Sequence, residues 1–196
     1  EVAYYVGQSY FYFGELARER FTKVDLAEGK TPESMAQLLD VKCDHLLAAQ
    51  KEYLSAIHSK HFGWSSAAAH QVGRMYESLF HHMHSVPAPD ELSQVQKVLY
   101  RQELSQKVRV LLKKAIRTWS AAVDFAGRTG TENTWVVQTR ERLTRIQQLY
   151  YNEYLDPARH KALEQALAAE EIQHNSGEPV VDPPPKPGAK KRLEAP

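Results

Sequence analysis

The 196 residues are 42% hydrophobic and 25% charged, a mixture that supports a folded unit and excludes a wholly disordered or fibrous chain. Twenty-five basic against 24 acidic residues leave a net charge of +1, which argues against nucleic acid as a partner because phosphate binding needs a concentrated positive surface. A single cysteine excludes an intramolecular disulfide, and the absence of any long apolar run argues against direct membrane insertion.

Strand signals are nearly absent, whereas apolar residues recur three and four apart along most of the chain. Residues Glu1 to Phe13 already read as the middle of a helix, so the sequence reads as a fragment of a longer chain. The first helix is predicted at 2–27, and a break at Gly29, Thr31 and Pro32 ends it. The second, 33–60, opens with Thr31 as N-cap, Pro32 in the first turn and Glu33 as a first-turn acid. Cys43 lies in this helix and reads as a small buried apolar group. So little cysteine suits either the cytoplasm or a bacterial periplasm.

Phe62 and Gly63 precede a third helix at 64–85, Pro87 to Asp90 a fourth at 91–127, and Gly127 to Asn133 a fifth at 133–154. Asp156 and Pro157 are the start signal for a last helix at 157–173. The helical domain is therefore expected over 1–174. From Asn175 onward prolines, glycine and lysine replace large apolar groups. Residues 175–196 are expected to be a disordered or polyproline II tail, a spacer with little apolar surface to bury.

Two helices share a four-point stripe: Leu46, Ala49, Tyr53, Ala56, and Leu112, Ala115, Trp119, Ala122. Spacings of three, four and three put each set on one helix face. The alanines allow close helix approach, and the aromatic fills the space beside them. Val6, Gly7 and Tyr10 match Val72, Gly73 and Tyr76 in spacing, while Trp64 and Trp135 open two helices in the same way. Glycine inside a helix costs about 1 kcal/mol relative to alanine, so its recurrence predicts points where two helices touch backbone to backbone.

These motifs resemble the tetratricopeptide repeat. Val6-Gly7-Tyr10 and Val72-Gly73-Tyr76 look like first helices of a repeat, and the Leu46 and Leu112 series look like second helices. Leu143, Thr144 and Gln147 place helix 133–154 as a weaker third first helix or an end cap. The resemblance implies an all-α, tetratricopeptide-like α-α superhelix (a solenoid). Its repeats would be elongated and irregular, because Ala49 and Ala115 are 66 residues apart, about twice the usual period of roughly 34. The runs Gly63-Trp64-Ser65-Ser66-Ala67-Ala68-Ala69, Val86-Pro87-Ala88-Pro89, Tyr100-Arg101-Gln102-Glu103-Leu104 and Asn133-Thr134-Trp135 further resemble the C-terminal region of large tetratricopeptide proteins of myxobacteria and other deltaproteobacteria. That likeness implies a periplasmic or envelope setting, gliding-motility complexes among them, with the cytoplasm as the alternative.

The resemblance also implies a function and a site. First helices of such stacks line a groove for proteins or peptide segments. Carried over through Gly7 and Gly73, the groove positions are Tyr4, Gln8, Phe11 and Tyr12, then His70, Arg74, Glu77 and Ser78. The expected function is a non-catalytic protein–protein interaction scaffold. The alternative is a structural capping or dimerisation module without a groove of its own, in which the aromatics around Tyr4 to Phe13 pack against the remainder of an N-terminal repeat array.

No catalytic constellation, phosphate loop or cofactor motif appears, so neither an enzyme nor a cofactor is expected. His81, His82 and His84, with Glu77 one turn earlier, are the nearest approach to a metal set. Adjacent histidines lie about 100° apart on a helix, which favours a helix-end role for them, as for His58 and His61.

Overall fold

The computed structural model describes residues 1–29 and 31–158, with 161, 162, 164, 165 and 168 beyond them. Five helices carry it: α1 (Val2–Lys23), α2 (Pro32–His58), α3 (Phe62–His84), α4 (Gln94–Thr129) and α5 (Thr134–Tyr154). There is no strand among the described residues. The chain is thus all-helical, with its helices packed on one another. The expected helix 157–173 lies mostly outside the described residues, and the tail 175–196 entirely so. Its start signal is in place, since Asp156 accepts a hydrogen bond from the Ala158 amide at 3.0 Å.

Local chemistry sets the helix boundaries. Thr31 and Ser34 form a reciprocal capping box at the start of α2, with Pro32 in its first turn. Ser93 and Gln96 do the same for α4, and Asn133 accepts from the Val136 amide to start α5. Gly130, at φ 62°, closes α4 in the left-handed conformation that glycine adopts without a Cβ penalty.

Several boundaries shift from expectation, and two of the shifts have a clear local cause. α1 stops at Lys23, not residue 27, because Val24 turns extended and Asp25 caps a short 3-10 turn at Leu26–Glu28. A buried lysine stabilises that stop: Lys42 of α2 donates to the carbonyls of Phe21 (2.9 Å) and Val24 (2.5 Å), the last acceptors of α1. At the start of α3, His61 is the N-cap, accepting from the Trp64 amide through Nδ1, so it begins this helix instead of ending the previous one.

Each helix folds back antiparallel on its predecessor. Contacts Gly14–Tyr53, Gln50–Tyr76, Gly73–Trp119 and Ser105–Tyr154 fix the four registers. α1, α3 and α5 run parallel in a row, joined by Glu15–Gln71, His70–Thr139 and Glu77–Arg142. α3 is the common element and touches every other helix.

The two sequence stripes form the core. Leu46, Ala49, Tyr53 and Ala56 are buried, as are Leu112, Ala115 and Trp119, with Ala122 half-buried at the end. The glycines meet aromatic rings, not backbones. A Cβ on Gly73 would lie 2.1 Å from the Trp119 ring, and one on Gly14 would lie 2.5 Å from the Tyr53 ring. Helix–helix contact is therefore ring-into-notch, which corrects the backbone-to-backbone expectation. It also shifts a register. The counterpart of Gly73 in the first hairpin is Gly14, while Gly7 abuts Ser59 and Trp64 in the connection to α3.

Candidate partner-binding face

The row α1–α3–α5 gathers all eight residues expected to line a groove, but distributes them unequally. Phe11 and His70 are buried. Phe11 packs its ring against Tyr53, Trp64 and Trp135 at 5.7, 5.3 and 6.5 Å between centroids. His70 contacts Thr139 through Nδ1 at 2.9 Å, and its carbonyl accepts from Trp119 Nε1 at 3.1 Å. These two form the floor that joins the three helices. Gln8, Glu77 and Ser78 are half-buried, whereas Tyr4, Tyr12 and Arg74 are exposed.

One end of the face is aromatic. Tyr4 and Tyr12 lie 5.7 and 5.9 Å from Trp64. The indole N–H of Trp64 is buried and has no acceptor among the described residues. An unmet buried donor of this kind costs about 1–3 kcal/mol.

The middle of the face is a charged band, of which the sequence reading named Arg74 and Glu77 and missed Glu15, Arg18, Gln71 and Arg142. Glu15 takes hydrogen bonds from Arg18 (2.6 Å), Tyr53 (2.5 Å) and Gln71 (2.9 Å). Burial works to raise its pKa, but the bonds from Arg18, Tyr53 and Gln71 outweigh it and hold the carboxyl below its usual range. On the neighbouring helices, Arg142 of α5 binds Glu77 of α3 at 2.7 Å. The band thus holds three guanidinium groups, of Arg18, Arg74 and Arg142, against two carboxylates.

Arg74 is the odd member. It makes no ion pair among the described residues, and only a 3.5 Å contact to Gln71 Oε1. Partial burial, then the nearby Arg142 and Arg18 charges, lower its pKa against the opposing pull of Glu77 and Glu15. Burial also pushes His70 down to about 4, reinforced by Arg142 and Arg74, leaving the imidazole neutral at pH 7.

Of these residues, Glu15 and Arg18 carried a legible signal as an i,i+3 pair. Gln71 and Arg142 had none, since their roles arise only when parallel helices come side by side. The C-terminal histidines of α3 do not converge. Glu77 is held by Arg142, His84 stacks on Phe80 at 5.4 Å, and Ser85 closes the helix. No group of three or more His, Cys, Asp or Glu side chains is placed to hold a metal among the described residues. Cys43 is half-buried against the core, and burial, with Asp40 and Asp44, raises its thiol pKa away from the reactive range. No described helix is long and apolar enough to cross a membrane.

Comparison of the chain with protein-family models, curated proteins and solved structures finds no match.

Proposed function

We propose that this chain is a non-catalytic interaction scaffold of the tetratricopeptide type, whose α1–α3–α5 face receives a segment of another protein. The observation that carries the reading is Arg74: exposed, without a carboxylate partner among the described residues, and between two arginines that already have theirs. Such a charge weakens the isolated fold slightly and gains most when a partner supplies an acid. Exposed Tyr4 and Tyr12 add large, stiff contact area at the other end of the face. The proposed partner segment therefore carries an acidic residue followed or preceded by apolar ones. The proposed setting, a bacterial envelope complex of the motility type, follows from the sequence resemblance.

The test is affinity capture from the native bacterium with full-length protein carrying Arg74→Ala and Tyr12→Ala. The scaffold reading expects at least one partner to be lost by both variants. Retention of every partner contradicts it.

The structural-cap reading has its own observation. Val6, Tyr10, Phe13 and Ala17 form one stripe of α1, with Tyr10 and Phe13 exposed. Counted from Gly14 and Gly73, Val6 and Ala17 correspond to Ser65 and Tyr76, through which α3 bonds to α2. On α1 the positions Val6, Tyr10 and Phe13 are exposed, while Ala17 at the end of the stripe packs against the core. A change of oligomeric state in Tyr10→Ser/Phe13→Ser, with partner capture intact, supports the cap.

A further inference from the structure

α2 and α4 diverge where their C-terminal ends pass over the start of α3, opening a cleft of about 660 Å³ remote from the charged band. Its apolar lining is Ile57, Phe62, Ala69, Ala121, Ala122 and Phe125. The volume falls in the range of small-molecule sites, and the lining has their mainly apolar character.

The hydroxyls around this cleft do not serve it as donors. Ser65 donates to the Ile57 carbonyl, Ser66 to Phe62, Thr118 to Lys114 and Thr129 to Phe125, and the Thr131 hydroxyl is engaged with that of Thr129. An occupant therefore meets methyls, rings and alanines along the walls. An extended peptide would leave its own amides and carbonyls unpaired there.

The single charged residue of the lining is Lys60, which makes no ion pair among the described residues. Among the described residues no Asp or Glu lines the cleft. Lys60 also has a φ of 61°, the left-handed region in which a residue with a Cβ is strained and glycine is the usual occupant. Lys60 lines an apolar trough whose α4 wall runs from Thr118 to Thr129, about 16 Å at the helical rise.

We propose that this cleft binds a linear alkyl carboxylate, its chain along α3 and α4 and its head group on Lys60. One cation, no free neutral donor and no acid select an apolar body with a single anionic end.

The test is binding of dodecanoate below its micelle concentration to the full chain, by calorimetry, with dodecanol as the uncharged control. Saturable one-to-one binding is expected. Dodecanol and the Lys60→Gly variant should each lose about fivefold, the scale of one exposed ion pair. Lys60→Gly should also raise the melting temperature by about 2–4 °C as backbone strain is relieved, which verifies that this variant is folded. Ala121→Trp, a substitution at an exposed wall position, should abolish binding. Absence of saturable binding, equal affinity for the alcohol, or binding indifferent to Ala121→Trp would each overturn the proposal. So would a cleft that takes an acidic amphipathic helical peptide and excludes dodecanoate.

Discussion

The two hairpins, α1–α2 and α3–α4, use one packing device and finish it differently. In each, the aromatic of the second helix fills a notch left by a glycine of the first. Trp119 ends its reach on a backbone carbonyl, that of His70, inside the protein. Tyr53 ends on the carboxylate of Glu15, a half-buried group in the band that faces outward. The second hairpin is thus closed on itself, while the first ties its core to the surface charges. A shared stripe therefore does not imply a shared role, because the polar end of the aromatic decides what the packing is coupled to.

That contrast can be broken most forcefully at the glycines. Gly73→Ala should destabilise the fold by about 3 kcal/mol, since a methyl would overlap a ring that is enclosed on all sides. Gly14→Ala should cost less, about 2 kcal/mol, because the added methyl overlaps the equally buried Tyr53 ring less deeply. Urea denaturation of both variants tests the ranking. Equal costs would remove the distinction between a closed and a coupled hairpin.

Acid should separate the hairpins next. His70 titrates near 4 in the fold against 6.5 when free, so the unfolded chain binds more protons between those values. Stability should fall by about 2–3 kcal/mol as pH drops from 6.5 to 4. His70→Asn should flatten that limb. Glu15, whose pKa is lowered, adds stability above 4.5 that is lost only as pH falls further, so the first hairpin should fail later in an acid titration.

Lys42 sharpens the account of the first hairpin. Lys42→Met keeps the stem that packs there but removes both bonds to the end of α1, with an expected loss of about 2 kcal/mol. Hydrogen exchange should rise first at Phe21–Leu26. Smallest of all, Arg74→Gln should stabilise the free protein by a few tenths of a kcal/mol, the scale of a solvent-screened surface charge, visible as a slight rise in melting temperature.

Much of this was legible in the residues. The stripes at Leu46 and Leu112 named the core, because period alone places them on one face, and Thr31, Asn133 and Pro32 marked helix starts through chemistry that acts within four residues. What the sequence hid depends on neighbours in space. Gly7 matched Gly73 in spacing, yet Gly14 is its packing counterpart, because the notch is defined by the ring that enters it. Lys42 carried no signal in the sequence, and only the end of α1, 18 to 21 residues earlier, explains its burial. Phe11 and His70 read as groove residues and lie on the face, but its three helices meet over them. Arg74 was legible as a candidate. That it has no carboxylate partner among the described residues was not, since this depends on how Arg18 and Arg142 are paired.

The central claim, that the α1–α3–α5 face is where a partner sits, is tested most directly by site-specific photo-crosslinking in the native cell. A crosslinker at Ser78, beside Arg74, is compared with one at Tyr10 on the α1 stripe and one at Thr144, an exposed position of α5. The account predicts an adduct with another protein at Ser78 that disappears when Arg74→Glu is introduced, and none at Thr144. Adducts only at Tyr10, or a Ser78 adduct unchanged by Arg74→Glu, would contradict it.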